Sequence, residues 1–116
     1  DDVNGKLICE QAIAKWGRDK QLDMAIEECS ELIKCIVKYR RYDGNKVWEL
    51  KTIDEMVDVE IMLEQMKLML TDKEEFEKQK AFKLNRLKAI IDGNDSPYRG
   101  LKGEDVGRAL DPQKKE

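Results

Sequence analysis

The stretch Val47–Leu70 reads VWELKTIDEMVDVEIMLEQMKLML, 24 residues with no glycine and no proline. Met56, Val59, Leu63, Met66 and Leu70 recur at three- and four-residue steps, while Val57, Ile61 and Leu68 mark roughly the opposite side. That spacing predicts a helix, and a helix apolar on more than one side is expected to be buried, centrally in the fold or between subunits. Nothing in the stretch alternates as a strand would.

Working outward, no glycine or proline interrupts the chain between Gly44 and Gly93, so the breaks fall at the ends and the middle reads as helix. Upstream, Asp43-Gly44-Asn45 is a turn signal, preceded by a helical segment from about Asp19 to Arg41 carrying Leu22, Ile26, Cys29, Ile33 and Ile36 as its apolar stripe. A shorter segment, about Val3 to Lys15, has Leu7, Ile8, Ala12 and Ile13 on one side and stops at Gly17. Downstream, Thr71-Asp72 followed by Glu74 and Glu75 is the start signal of a further helix with Phe76, Leu84, Leu87 and Ile91, ending at Gly93. The expectation is an all-α protein of four main helices forming an oligomeric bundle. Its helical domain covers residues 1–93, and residues 94–116, with both prolines and three glycines, form an irregular tail.

Composition limits the chemistry. Of 116 residues none is histidine, which excludes a Ser-His-Asp triad, a Cys-His pair and any histidine-containing metal site. Acid-base or metal chemistry must therefore use carboxylates. A net charge of -3 argues against a nucleic-acid groove. The longest uninterrupted apolar run is three residues, against the roughly 20 that a membrane-crossing helix needs. Three cysteines, Cys9, Cys29 and Cys35, form an odd set, two of them in helix-patterned sequence; this predicts reduced, mostly packed thiols and a cytoplasmic setting.

Two acidic pairs concentrate the carboxylates. Glu28 and Glu31 stand at i, i+3 in the second segment, and Glu55 and Asp58 at i, i+3 in the third, so each pair shares a stripe of its helix. Packed side by side, the two helices would converge four carboxylates, an oxygen-rich set suited to Mg²⁺ or Mn²⁺. In a chain with 25 acidic residues such a pair also occurs on ordinary solvated faces, as for Glu74 and Glu77. Asp58 differs because Val57 and Val59 flank it in the most apolar helix, where an unpaired carboxylate would cost several kcal/mol.

The pattern Glu27-Glu28-Cys29-Ser30-Glu31, followed some two dozen residues later by Glu55-Met56-Val57-Asp58, resembles the signature of the all-α nucleoside triphosphate pyrophosphohydrolases of the MazG type. The resemblance continues through Trp16-Gly17, Gln21 and Met24-Ala25-Ile26 upstream, and Val59 to Gln65 downstream. It reaches weakly into Lys83-Leu84-Asn85-Arg86, and so covers roughly Lys15 to Ile91.

The resemblance implies that Glu28, Glu31, Glu55 and Asp58 hold Mg²⁺, for which Mn²⁺ can substitute, and that a nucleoside triphosphate is hydrolysed to monophosphate and pyrophosphate, in nucleotide-pool sanitation or control. It also implies a homodimer or homotetramer. Glu27 or Glu28 is then the candidate acceptor of the attacking water's proton, with an exposed surface charge as the competing reading for Glu27. Lys83, Asn85 and Arg86, with Lys38 as a weaker candidate, would meet phosphate oxygens; Gln21 would read a base edge and Trp16 would stack on the base or pack.

Two departures qualify this. Relatives specific for phosphoribosyl-ATP tend to carry a histidine soon after the second motif's aspartate, whereas this chain continues Val59-Glu60-Ile61-Met62-Leu63. Relatives specific for deoxycytidine triphosphate often carry aromatics after the first motif, where Lys34 and Lys38 stand here, and the base preference is open. The rival readings are a non-catalytic helical adaptor, with the acidic pairs as a salt-bridge seam, and a regulator that binds a nucleotide without cleaving it.

Overall fold

The computed structural model of the chain describes residues 3–70 and 72–93, and among them every regular element is an α-helix. Four helices follow one another: α1 (Val3–Trp16), α2 (Arg18–Arg41), α3 (Lys46–Leu70) and α4 (Lys73–Ile91). The expected tail and Thr71 lie outside the described residues. The chain divides into two compact units, one reaching to Phe76 and the other beginning at Glu77, so the division falls inside α4.

Each break has a local cause. Gly17 takes φ +92°, a conformation that costs glycine little because it lacks Cβ. Its N–H donates to the Ile13 carbonyl at 2.8 Å and its carbonyl accepts from Gln21 N–H at 3.1 Å, so one residue closes α1 and opens α2. The α2–α3 turn uses Gly44 at φ +75°, and Asn45 then caps α3 by accepting the Val47 and Trp48 N–H groups on Oδ1 at 2.9 and 3.2 Å. Asp72 caps α4 in the same way, its Oδ1 accepting from Glu75 N–H at 2.6 Å.

A four-residue connection makes α2 and α3 antiparallel neighbours. They form the main helix pair, and α1 touches both. One register runs through the pair. Near the start of α2, Gln21 Nε2 donates to Gln65 Oε1 at 2.8 Å; toward its end, the Thr52 hydroxyl lies 3.3 Å from the Cys35 carbonyl while bonding the Trp48 carbonyl at 2.7 Å. The Glu28–Glu31 and Glu55–Asp58 pairs fall between these two contacts and so must face each other.

The interior is thin and contains polar groups: Cys9, Ala25, Cys35 and Met62 are buried with the amides of Gln21 and Gln65, and Gln65 Nε2 also contacts Met62 Sδ at 3.8 Å. All three cysteines are free, with Cys9 and Cys35 buried and Cys29 exposed. Burial, then the nearby Glu64 charge, raises the Cys9 thiol pKa, which keeps it an inert thiol.

The expected packing faces need correction. On α2 the inward stripe is Gln21, Ala25, Glu28, Leu32 and Cys35, whereas Ile26 and Ile33, from the expected apolar stripe, are 69% and 63% exposed. On α3 the inward stripe is Thr52, Glu55, Val59, Met62, Gln65 and Met66; Met56, Leu63 and Leu70 are exposed, as are Val57, Ile61 and Leu68. On α1, Leu7 and Ile8 face solvent beside the buried Cys9. Small side chains explain the choice, since Ala25 and Cys35 let α2 approach α3 closely where a row of isoleucines would hold them apart. Within α4, Leu84, Leu87 and Ile91 are exposed.

Candidate metal centre and adjoining cleft

Glu28 from α2 and Glu55 and Asp58 from α3 each turn a carboxylate oxygen to a common point, the three atoms lying within 4.8 Å of one another, and all three residues are half-buried. Glu55 and Asp58 share a face because they stand one turn apart, and the antiparallel register brings Glu28 opposite them. Glu31, one turn beyond Glu28, flanks the group: its charge acts on Glu55, and its Oε1 lies 3.8 Å from Lys34 Nζ.

The electrostatics follow from this crowding. Loss of solvent raises the Glu28 pKa first, and the charges of Asp58, Glu55 and Glu27 raise it further. Glu55 is raised by desolvation and then by Asp58, Asp54 and Glu31. A hydrogen bond between Glu28 and Glu55 couples the two carboxyls, raising the first and lowering the second. Glu55 Oε1 is nevertheless buried with no hydrogen-bond donor. A buried acceptor without a donor is costly, and a cation among the three carboxylates would satisfy it. Three hard oxygen donors, with no histidine in the chain and no cysteine in the group, suit Mg²⁺ or Mn²⁺.

Beside these carboxylates lies a cleft of about 490 Å³ lined by Glu31, Asp54 and Glu55 together with Lys34, Lys51 and Trp48. The Trp48 ring stacks near Tyr42, centroids 6.4 Å apart and planes 15° from parallel. The ammonium groups of Lys38 and Lys51 sit 5.1 and 4.8 Å from the Trp48 centroid. Sequence reasoning missed Trp48, Lys51 and Asp54. Their signal was present: Trp48, Lys51 and Glu55 stand at i, i+3, i+7 on one stripe of α3.

The other candidate residues are distributed differently. Gln21 is 4% exposed and gives its amide to Gln65, which makes it a helix-pairing residue in place of a reader of base edges. Glu27 is exposed and acts on Glu28 only through its charge. Lys38 is half-buried, with its ammonium over the Trp48 ring. Lys83 and Asn85 are exposed and Arg86 half-buried on α4, in the second unit. Trp16 is 49% exposed at the end of α1, with Lys15 Nζ 5.6 Å from its ring.

Comparison with protein-family models, curated proteins and solved structures gave no match. Among the described residues, no helix is long and apolar enough to cross a membrane.

Proposed function

We propose that this chain is a divalent-metal-dependent nucleoside triphosphate pyrophosphohydrolase, of the MazG-type all-α kind that its acidic motifs resemble, acting on the cytoplasmic nucleotide pool. The observation that carries the reading is the convergence of Glu28, Glu55 and Asp58 from two helices, together with a Glu55 Oε1 that is buried without a donor. An adaptor would have no need to bury like charges against one another.

Glu28, Glu55 and Asp58, with Glu31 at the margin, would hold the cation. Bound there, Mg²⁺ supplies charge neutralisation for a triphosphate and acidifies water. The chain's own contribution is positioning and proton handling. Glu28, whose pKa is raised by its surroundings, is the candidate acceptor of the attacking water's proton, and Glu27 acts on it by charge. Lys34, Lys38 and Lys51 supply the cationic donors that a triphosphate beside four carboxylates requires.

Assembly belongs to the same reading. Ile26 and Ile33 on α2 and Val57 and Ile61 on α3 leave more apolar surface in water than a small protein usually tolerates, which supports a homodimer or homotetramer that covers them.

The test is pyrophosphate release across ribo- and deoxynucleoside triphosphates with Mg²⁺ or Mn²⁺, with diphosphates as control. At least one triphosphate should yield monophosphate and pyrophosphate only when metal is present. Orthophosphate as the first product would overturn the assignment.

A further inference from the structure

We infer that the side of the α2–α3 hairpin carrying Lys34, Lys38, Arg41 and Lys51 is a contact surface for the phosphate backbone of a single-stranded nucleic acid. Such a surface is separate from the hydrolase reading above, and neither depends on the other.

The net charge of -3 hides a local excess of the opposite sign, since residues 38–51 hold five lysines and arginines against Asp43 and Glu49. Lys34, Lys38 and Arg41 stand at i, i+4 and i+7 on one stripe of α2, a row of about 10.5 Å. Lys51 joins the row from α3, because its ammonium and that of Lys38 lie 4.8 and 5.1 Å from the same Trp48 centroid. Lys46 is held by Glu49 at 3.4 Å and Lys34 lies 3.8 Å from Glu31. Among the described residues, no carboxylate pairs with Lys38, Arg41 or Lys51.

Helix stability accounts for only part of this pattern. Lys38 and Arg41 fall in the last turn of α2, where cations suit the macrodipole, but Lys51 stands in the second turn of α3, where that dipole favours an anion. Two ammonium groups over one indole also set like charges side by side, and an anion from outside the chain relieves that repulsion. The indole holds both side chains beforehand, so less rotamer freedom is lost when the anion arrives.

The arrangement of the cations selects the anion. A lone phosphate calls for donors that converge, whereas these are strung along a helix, and a row of charges fits a row of phosphates. Beside them Tyr42 is 46% exposed, and its ring offers an unpaired base a face that a chain of carboxylates cannot use. A duplex keeps its bases stacked on one another and leaves that ring without a partner. Arg41 stands ten residues beyond Glu31, about 15 Å along α2, so the far end of this surface lies well outside the carboxylate centre. Lys34, Lys38 and Lys51 border the cleft as well, while Arg41 and Tyr42 belong to the strand surface alone.

The experiment uses the full chain in EDTA, so that no divalent ion bridges a phosphate to the carboxylates. Three fluorescein-labelled probes are compared by anisotropy: oligo(dT) of about 15 nucleotides, a duplex of the same length, and an oligoglutamate of matching charge. Oligo(dT) should bind with an affinity that falls as salt rises, with a log-log slope of about -2 to -3 for three or four phosphate contacts. The duplex and the oligoglutamate should bind at least about tenfold more weakly. Arg41→Gln should weaken oligo(dT) by about fivefold at about 0.1 M salt and make the slope shallower by about 0.7. Arg40, two residues beyond Lys38 and so about 200° around the helix, is the matched control, and Arg40→Gln should change both far less. Tyr42→Ala should cost about tenfold, with Tyr42→Phe close to wild type. In the wild type, the backbone amide resonances that move on adding oligo(dT) should cluster within residues 34–51, which decides the matter even if a variant does not fold. Absence of binding at low salt, a slope near zero, equal effects of Arg40→Gln and Arg41→Gln, or resonances moving elsewhere would overturn the surface. Equal affinity for oligoglutamate would make the partner an acidic protein segment and overturn the nucleic acid, and tighter binding of the duplex or an unaffected Tyr42→Ala would overturn the single strand.

Discussion

Glu28 concentrates the chemistry at the scale of single residues. Its carboxyl loses solvent and sits among Asp58, Glu55 and Glu27, so its folded pKa lies above the unfolded value. Such a group favours the folded state fully below its unfolded pKa, and that advantage is lost as pH rises through the folded pKa. The metal-free wild type should therefore fall in melting temperature relative to Glu28→Gln as pH is raised from the acid side of the carboxylate range toward neutrality. Parallel melting curves for the two proteins across that range would contradict the crowding of Glu28 by its acidic neighbours. Asp58→Asn acts on the same balance, because the Asp58 charge raises both Glu28 and Glu55. Removing it should lower turnover by at least about a hundredfold, as for loss of an electrostatic group acting on the transition state. A variant with wild-type pyrophosphate release would show that Asp58 has no part in the chemistry.

Between helices, the buried Gln21–Gln65 pair fixes how α2 sits on α3, and with it the opposition of Glu28 to Glu55 and Asp58. Gln21→Ala leaves the Gln65 amide without its partner in a buried place, and should destabilise by about 1–3 kcal/mol. Replacing both glutamines by leucine should recover much of that, because no polar group is then stranded; urea melts of the singles and the double would measure the coupling. A single variant as stable as wild type would mean that water or backbone satisfies Gln65 after the change. This pair also marks the limit of what periodicity can tell. The four helices, the glycines at 17, 44 and 93 and the Asp72 cap that opens α4 were legible because caps and left-handed glycines are local. The packing faces were not. On α2 the isoleucine stripe is the stronger signal, yet the stripe facing α3 carries Gln21, Ala25, Glu28 and Cys35, because close approach needs small side chains. The i, i+3 spacing exposed the four acidic candidates, and Trp48, Lys51 and Glu55 share a stripe of α3, while the wall that α2 adds to the cleft depends on the register between the two helices.

For the whole molecule, the exposed apolar residues and the carboxylate centre make linked demands. Ile33 at 63% exposure and Ile61 at 47% would be unremarkable singly, but they recur along both helices of the main pair. Light scattering at micromolar concentration should give a dimer or tetramer, and Ile33→Glu or Ile61→Glu should shift it toward monomer; a wild-type monomer would overturn the assembly. The central claim is that the convergent carboxylates form a cation site that exists only in the folded protein. Ligand that binds only the native state stabilises it by about 2.7 kcal/mol at 100 times its dissociation constant. The most direct measurement is thermal melting of wild type and Asp58→Asn, each with and without saturating Mg²⁺. The account predicts a clear upward shift for the wild type, little or none for the variant, and a metal-free variant at least as stable as the metal-free wild type. A variant that keeps the full Mg²⁺ shift, or that melts well below the metal-free wild type, would contradict it.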